Sequence, residues 1–283
     1  MGFAIEKLGT WTAPREFKIE ADRTKAYAAA TNDPIQVHCD GTVAPPLFAV
    51  VPVWDVLTEA MATVVPPEAF AFVVHGEQDI RYHHQIQPGS VLSTKAAPIG
   101  IHVKKSGTTV VCKAESVDQD GTLIIEQYFV TFFRGVADGE GAGEIAPPHT
   151  LTDEIKATGA IGSLSQTLDM DQTYRYAEAS GDHMPIHLDE EFARNVGLPG
   201  IIIHGLCTMA FTSWAAITTV GNSDPSRVQR LAVRFSKPVL PGETITNTFF
   251  KVGAGDGITT YAYETTNQDG AVVIKDGLIE VRD

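Results

Sequence analysis

The chain has 283 residues, of which 43% are hydrophobic and 20% charged, with 25 glycines and 16 prolines. This composition is typical of a globular protein and excludes collagen-like, coiled-coil and disulfide-scaffold chains. Lysine and arginine total 21 against 35 acidic residues, and the net charge of −14 opposes binding to nucleic acid or to an anionic membrane. At roughly 150 residues per domain, the length predicts two domains.

Three features bear on the compartment. The chain starts MGFAIEKLGTW and shows no basic segment followed by an apolar one, so no export signal is expected and the predicted location is cytoplasmic. The three cysteines lie far apart without CxxC spacing, which predicts reduced structural thiols. The apolar segment 206–220 is too short to cross about 30 Å of hydrocarbon and is predicted to be a buried helix.

The two halves of the chain repeat each other. YAAATNDPIQVH at 27–38 matches YAEASGDHMPIH at 176–187, and the Asp and His recur at 182 − 33 = 149 and 187 − 38 = 149. ESVDQDG at 115–121 and ETTNQDG at 264–270 share this offset, and residues 80–89 match 233–242 at an offset of 153. The repeat predicts two domains of one fold: residues 1–134, a Gly-rich flexible linker or exposed crossover at 135–149, and residues 150–283.

The residue pattern of each half predicts the same order of helices and strands. A short extended segment precedes a brief helix that carries a Tyr, and an irregular loop then holds the Asp and the His. A strongly apolar helix follows, at 47–64 in the first half and 206–220 in the second. Strand-like segments separated by turns complete each half, at 91–103, 108–117 and 123–133 and again at 244–252, 259–266 and 271–281. The predicted class is α+β.

The string ASGDHMPIHLDEEFA carries the strongest indication of chemistry. Asp182 and His187 lie five residues apart across a Pro-containing loop, so both side chains can reach one water and act as general acid and base. The alternative is that Asp182 caps a turn and His187 is a satisfied polar residue. His204 and Gly205 favour the first interpretation, because free N–H groups at the start of the apolar helix can stabilise an oxyanion.

These residues, with IIIHGLCTMAF after them, resemble the signature of the MaoC-like, R-specific enoyl-CoA hydratase (hydratase 2) family. The resemblance implies a double hotdog fold, in which each repeat is a long helix wrapped by an antiparallel sheet. It also implies reversible syn hydration of a trans-2-enoyl-CoA to a (3R)-3-hydroxyacyl-CoA. The implied partner is an acyl-CoA or acyl carrier protein thioester, and the implied reaction uses no metal or redox cofactor.

The resemblance assigns roles residue by residue. Asp182 and His187 would hold and activate the water, and the N–H of Gly205 would polarise the thioester carbonyl. Ser180, Gly181 and His204 are expected beside the substrate. Two positions depart from the family pattern: Met184 replaces the usual Asn and Glu190 the usual Pro. Arg230, Arg234 and Lys237 are the candidates for the CoA phosphates, although the recurrence of Arg81 and Arg234 favours a structural contact.

The first repeat has lost part of this pattern. Asp33 and His38 keep the register, but Pro45 and Pro46 stand where the His-Gly pair is expected, and proline has no N–H to donate. A second active site is therefore not expected there, and the resemblance implies that this repeat binds the acyl tail or has a purely structural role. The histidines at 75, 83 and 84 lack carboxylate or cysteine neighbours at metal-ligand spacing, and no metal site is predicted there.

Two other functions stay open at this level. A hotdog thioesterase would direct water to the carbonyl carbon and release free thiol. A non-catalytic acyl-thioester-binding subunit would bind the ester without turnover. Pairing of two repeats in one chain satisfies the contacts that single-hotdog proteins gain by dimerising, and formation of a homodimer is compatible with the fold.

Overall fold

The computed structural model describes residues 2–283, which contain eleven strands and seven α-helices. The strands are β1 Arg15–Lys18, β2 Val73–Tyr82, β3 Val91–Lys104, β4 Gly107–Val117, β5 Leu123–Arg134, β6 Ala142–Gly143, β7 Gly162–Thr167, β8 Val228–Phe235, β9 Thr244–Gly255, β10 Ile258–Asn267 and β11 Val272–Arg282. The α-helices are α1 Ala21–Ala30, α2 Gln36–Cys39, α3 Trp54–Ala62, α4 Asp153–Ala157, α5 Gln172–Ser180, α6 Glu190–Asn195 and α7 Gly205–Val220. Short 3₁₀ helices cover Ile5–Lys7, Pro46–Val50, Pro67–Phe72, Pro185–His187 and Pro225–Arg227.

The chain forms two compact units. Unit 1 comprises Met1–Lys18, Pro52–His84 and Ser90–Pro148, and unit 2 comprises Ile19–Val51, Gln85–Gly89 and His149–Asp283. The division near residue 148 lies at the end of the predicted linker. The segment Ile19–Val51, however, belongs to the sequence of the first repeat and to the compact unit of the second.

Unit 1 is an antiparallel sheet with one main helix against it. Its strand order is β1-β3-β4-β5-β2, and α3 packs on β3 and β4. Buried and partly exposed positions alternate along much of β4 and β5, as expected for strands with one face on a core. Three strands predicted from sequence, at 91–103, 108–117 and 123–133, are confirmed to within two residues at each end.

The strands of unit 2 are antiparallel, in the order β8-β11-β10-β9-β7. Helix α7 packs against β7, β8 and β9, and eleven of its sixteen residues are buried. Its composition matches this position, because a helix that is apolar on nearly every side is stable only in a core. The predicted helix 206–220 and the predicted strands at 244–252, 259–266 and 271–281 are confirmed.

Helix α1 packs on α5 inside unit 2, and the two repeated tyrosines lie at this contact. The hydroxyls of Tyr27 and Tyr176 are 3.1 Å apart, and Tyr27 donates to the carbonyl of Leu47 at 3.2 Å. Both rings are fully buried, and burial raises the pKa of both phenols well above the usual value. The indole N–H of Trp214 in α7 donates to the carbonyl of Thr31 at 3.0 Å, which ties α7 to the end of α1.

One prediction for the first repeat needs correction. The apolar segment 47–64 is not one helix, because its first part is the 3₁₀ helix Pro46–Val50 and α3 begins only at Trp54. Pro52 lacks the N–H that a continuous helix would need. The segment 135–149 is mostly exposed and contacts the sheet of unit 1: β6 pairs with β3, and Glu144 N–H donates to the Ile99 carbonyl at 2.8 Å.

Glycine explains the close approach of the linker to β3. A Cβ on Gly143 would lie 2.2 Å from the Ile99 carbonyl oxygen, and a Cβ on Gly100 would lie 1.9 Å from that of Glu144. Two linker glycines, Gly141 and Gly143, therefore allow the close contact with the sheet. Every helix in residues 2–283 is too short or too polar to span a lipid bilayer.

Candidate active site

The candidate site begins where α5 ends. Gly181 adopts a left-handed φ of 87°, which stops the helix, and the hydroxyl of Ser180 accepts the N–H of Asp182 at 3.1 Å. One carboxylate oxygen of Asp182, Oδ1, accepts the N–H of Met184 at 3.1 Å. The backbone of residue 184 therefore holds this carboxylate, and the Met184 side chain, which is 42% exposed, makes no contribution to that bond.

His187 lies at the end of the 3₁₀ helix Pro185–His187 and is 7% exposed. Its Nδ1 lies 2.7 Å from the carbonyl oxygen of Ile202. Because a carbonyl only accepts hydrogen bonds, Nδ1 carries the proton and Nε2 has a free lone pair in the neutral ring. Burial lowers the pKa of His187 below its usual value, against the smaller opposite effect of the Ile202 carbonyl. The imidazole is therefore neutral at pH 7 and able to accept a proton.

His204 is stacked on His187. The two ring centroids are 3.7 Å apart at an interplanar angle of 25°, and Nε2 of His204 donates to the carbonyl of Asp182 at 3.0 Å. His204 is only 1% exposed, and burial followed by repulsion from His187 lowers its pKa to about 3. A neutral His204 thus ties the start of α7 to the loop that holds Asp182.

Asp182, His187 and His204 converge on one point. A carboxylate oxygen of Asp182 and a ring nitrogen of each histidine lie within 4.8 Å of one another. Two groups at this separation can share one water, since two hydrogen bonds in series span about 5.5 Å. The spacing also suits a metal ion, but nearly parallel rings direct their lone pairs along separate planes, and one ring would have to turn before both could ligate. That the site works without metal stays a prediction.

Helix α7 begins beside this cluster, at Gly205. As the first helical residue, Gly205 has an N–H without an acceptor inside the helix. A Cβ at this position would lie 3.3 Å from Cε1 of Phe235, closer than an ordinary contact, so the ring of Phe235 packs against the glycine backbone. The helix start thus offers a donor and a positive dipole end to a developing negative charge.

The first repeat has the same turn after its Asp, but its Asp and His are hydrogen-bonded to each other. Asp33 Oδ1 accepts the N–H of Ile35 at 2.9 Å, as Asp182 accepts that of Met184. Its other oxygen, however, is hydrogen-bonded to Nδ1 of His38 at 2.8 Å, with both side chains buried. Both oxygens of Asp33 are therefore already hydrogen-bonded, one to the backbone and one to the imidazole of His38. Pro46 begins the following 3₁₀ helix and has no N–H to offer.

The remaining predicted residues divide into two groups. Ser180, Gly181 and His204 shape the Asp182 loop, and their expected place beside the substrate stays a prediction. Arg230 is 8% exposed and pairs with Glu280 at 3.3 Å, and Arg234 pairs with Asp276 at 2.8 Å. Both arginines are therefore paired with carboxylates, and their role in binding the CoA phosphates stays a prediction. Lys237 is exposed, and its role in phosphate binding stays a prediction.

Two contributors were missed by sequence reasoning. Ile202 acts through its backbone carbonyl, for which its side chain gives no signal. Phe235 lies in the matched segment 233–242, but nothing in its spacing indicates a contact with Gly205, thirty residues earlier in the chain. Both depend on how the chain folds back on itself.

Comparison with known proteins agrees with the geometry. Residues 154–272 match the model of the MaoC like domain, and residues 6–127 match the FAS1-like, dehydratase domain region. The chain is 30% identical over 209 residues to a probable enoyl-CoA hydratase 2 of Dictyostelium discoideum, covering 73% of this chain and 69% of that protein. It is 28% identical over 246 residues to the peroxisomal multifunctional enzyme type 2 of Drosophila melanogaster, covering 83% of this chain but only 40% of that longer protein.

A solved structure extends the agreement to the whole fold. The crystal structure of a MaoC-like dehydratase from Phytophthora capsici superimposes with a TM-score of 0.83 at 23% identity and covers 99% of each chain. The predicted double hotdog fold is confirmed. The chain belongs to the MaoC-like dehydratase and enoyl-CoA hydratase 2 family.

Proposed function

We propose that the protein is an R-specific 2-enoyl-CoA hydratase, which also runs as a (3R)-3-hydroxyacyl-thioester dehydratase. One observation carries the proposal. Nδ1 of His187 is bound by the Ile202 carbonyl and not by a carboxylate, so Nε2 and the second oxygen of Asp182 are both available to one water. This arrangement lies next to the free N–H of Gly205, which supplies the third element of the reaction.

The hydration step balances with these groups alone. Nε2 of neutral His187 accepts a proton from the water while Asp182 accepts its other O–H, and the water oxygen bonds to C3 of the enoyl thioester. The electron pair of the C2=C3 bond moves toward C1, and the thioester oxygen becomes an enolate oxygen. The imidazolium then returns its proton to C2, which restores the carbonyl and neutral His187.

The N–H of Gly205 stabilises the enolate oxygen. A preorganised backbone donor at a helix start is strongest where charge develops and typically contributes about a hundred- to a thousand-fold. Because one water delivers the hydroxyl and one imidazole returns the proton from the same side, addition is expected to be syn. No electrons leave the substrate, and the step needs no redox cofactor.

The proposed substrate is an acyl thioester of CoA or of acyl carrier protein. The name of the Dictyostelium discoideum relative, a probable enoyl-CoA hydratase 2, supports CoA. The net charge of −14 implies that a local cation, and not the whole surface, must offset the charge of such a substrate. Lys237 is the exposed candidate among the predicted residues.

The test is hydration of crotonyl-CoA and of a longer trans-2-enoyl-CoA, followed by loss of enoyl-thioester absorbance and by chiral analysis of the product. We expect the (3R)-3-hydroxyacyl-CoA and no release of free thiol. Thiol release without hydration would identify a thioesterase instead, and tight binding without turnover at every chain length would identify a non-catalytic subunit.

A further inference from the structure

The segment between α6 and α7 supplies the carbonyl that fixes His187. Its backbone groups are held one after another: Ile202 N–H donates to the Ile186 carbonyl at 3.2 Å, and Ile203 N–H donates to the Val239 carbonyl at 2.8 Å. The peptide group that joins Ile202 to Ile203 is thus bound on both sides, by Val239 through its N–H and by His187 through its carbonyl. Orientation of His187 depends on this segment being held in place.

Glu190 binds the start of this segment. Its Oε2 accepts the N–H of Ile201 at 2.9 Å, and its Oε1 accepts both Nε and Nη2 of Arg194, at 3.0 and 2.6 Å. The Ile201 N–H, followed by Arg194, lowers the pKa of the Glu190 carboxyl below its usual value. Glu190 therefore closes a loop across a sequence separation of eleven residues, from the first turn of α6 to the residue next to Ile202.

Gly200 makes room for this contact. A Cβ at position 200 would lie 2.9 Å from Oε1, 3.1 Å from Oε2 and 3.3 Å from Cδ of Glu190, and its three nearest neighbours all belong to that carboxylate. A Cβ at residue 200 would therefore displace the carboxylate from its present position. Glu190, Gly200 and the Ile201 N–H thus form one contact, which we call the loop latch.

We propose that Glu190 is a positioning residue, which acts through the loop latch to hold the Ile202 carbonyl on Nδ1 of His187. The proposal rests on the proposed function, because it assigns His187 the role of base. Glu190 does not touch the reacting atoms. Its effect reaches His187 through two residues, from the N–H of Ile201 to the carbonyl of Ile202.

The hydrogen bond to Ile201 matters more than the ion pair with Arg194. The Glu190 and Arg194 side chains are 53% and 63% exposed, and exposed ion pairs contribute little to stability. A backbone N–H, in contrast, has one direction, so a carboxylate that accepts it fixes the orientation of that peptide group. A loop that is free at Ile201 leaves the Ile202 carbonyl to depend on fewer contacts.

The test uses two independent ways to break the loop latch. Glu190→Ala removes the carboxylate, and Gly200→Ala displaces it while keeping Glu190. Each should lower kcat for enoyl-CoA hydration about three- to ten-fold, the range expected for one hydrogen bond, and leave KM within about two-fold. The double variant should be no slower than Glu190→Ala, because a Cβ at position 200 then has no carboxylate to displace.

Two controls separate the latch from charge and from helix stability. Glu190→Gln keeps an oxygen for the Ile201 N–H and should restore most of kcat, although it loses the negative charge. Glu191→Ala removes a neighbouring exposed carboxylate from the same helix and should leave kcat unchanged. Additive losses in the double variant, or a Gln variant as slow as the Ala variant, would overturn the proposal.

A spectroscopic signal tests the latch without activity. In ¹⁵N-histidine-labelled protein, the Nδ1–H of His187 should give a downfield resonance that disappears in His187→Gln. Glu190→Ala and Gly200→Ala should broaden or shift it upfield, and Glu190→Gln and Glu191→Ala should not. An inactive wild type with this pattern would contradict the proposed function alone, and an active wild type with an unchanged resonance in both latch variants would contradict the latch alone.

Discussion

Asp33 and His38 in the first repeat have the same spacing as Asp182 and His187 in the second, and both aspartates accept the N–H two residues later. The imidazoles differ in their partners. Nδ1 of His38 bonds to the Asp33 carboxylate, whereas Nδ1 of His187 bonds to the Ile202 carbonyl. Only the second arrangement leaves a carboxylate oxygen and a ring nitrogen for a shared water.

The difference comes from the chain that follows each pair. In the second repeat, α6 and the segment after it return the chain to His187 and then begin α7 with Gly205. In the first repeat this part of the chain is shorter, and Pro46 begins a 3₁₀ helix instead. The same spacing of Asp and His in both repeats is therefore not sufficient for a site. What the pair can do depends on which group accepts the Nδ1–H of the imidazole, the Asp carboxylate or a backbone carbonyl.

The largest effect is expected when Gly205 is replaced by proline, the residue that stands at its place in the first repeat as Pro46. Gly205→Pro removes the N–H that we assign to the enolate oxygen, and His204, with φ of −56° and ψ of 136°, already has the conformation that a following proline requires. We expect kcat to fall by about a hundred- to a thousand-fold, measured by enoyl-thioester absorbance.

Gly205→Ala is its matched control. It adds the same Cβ against Phe235 but keeps the N–H, so its loss of kcat should be much smaller than that of the proline variant. Equal losses in the two variants would show that packing against Phe235, and not the N–H donor, determines the activity.

The two aspartates should separate activity from stability. Asp33→Ala leaves the Nδ1–H of fully buried His38 without its partner and should lower the free energy of unfolding by roughly 2–4 kcal/mol. Asp182→Ala removes a half-buried carboxylate whose partner Met184 is exposed, and should cost less than about 1.5 kcal/mol. Urea denaturation followed by circular dichroism measures both, and a larger stability loss in the Asp182 variant would contradict the account.

The stacked histidines should make stability depend on pH. Burial lowers the pKa of His204 to about 3 from an ordinary 6.5, so between these values the unfolded chain binds a proton that the folded chain does not. This group therefore leaves the free energy of unfolding unchanged above pH 6.5 and lowers it as pH falls below 6.5, by up to about 1.4 kcal/mol per pH unit.

The matched variant for this effect is His204→Gln. Its free energy of unfolding should decline less steeply between pH 6.5 and pH 4.5 than that of the wild type. The difference in slope should correspond to about one proton fewer bound on unfolding. Pro45 stands at the corresponding place in the first repeat, so no equivalent stack exists beside His38. An identical slope in the variant would show that His204 is not buried as the neutral ring.

The smallest effect is expected at Met184, where the family usually has Asn. Because Asp182 is held by the N–H of residue 184, Met184→Asn should change kcat by less than about three-fold. Met184→Pro removes that N–H at a φ of −57°, which proline accepts, and should lower kcat more strongly. A large gain in the Asn variant would show that the missing amide, and not the backbone, limits this site.

Much of this organisation could be predicted from sequence. Asp33, His38, Asp182 and His187 lie at one offset, and the strands and the helix that begins at Gly205 follow from alternation and apolar length. The partner of each imidazole could not be predicted, because Ile202 acts through a carbonyl that every residue has. The assignment of Ile19–Val51 to unit 2 and the docking of the Gly-rich linker on β3 depend in the same way on tertiary contact.

The most direct test compares the two pairs by activity. Asp182→Asn and His187→Gln should each lower kcat for trans-2-enoyl-CoA hydration by at least about a hundred-fold, as expected for loss of a general acid–base group. Asp33→Asn and His38→Gln should keep kcat within about three-fold of the wild type wherever circular dichroism shows the variant folded. Equal losses in both repeats, or full activity of folded Asp182→Asn and His187→Gln, would contradict the claim that only the second pair does the chemistry.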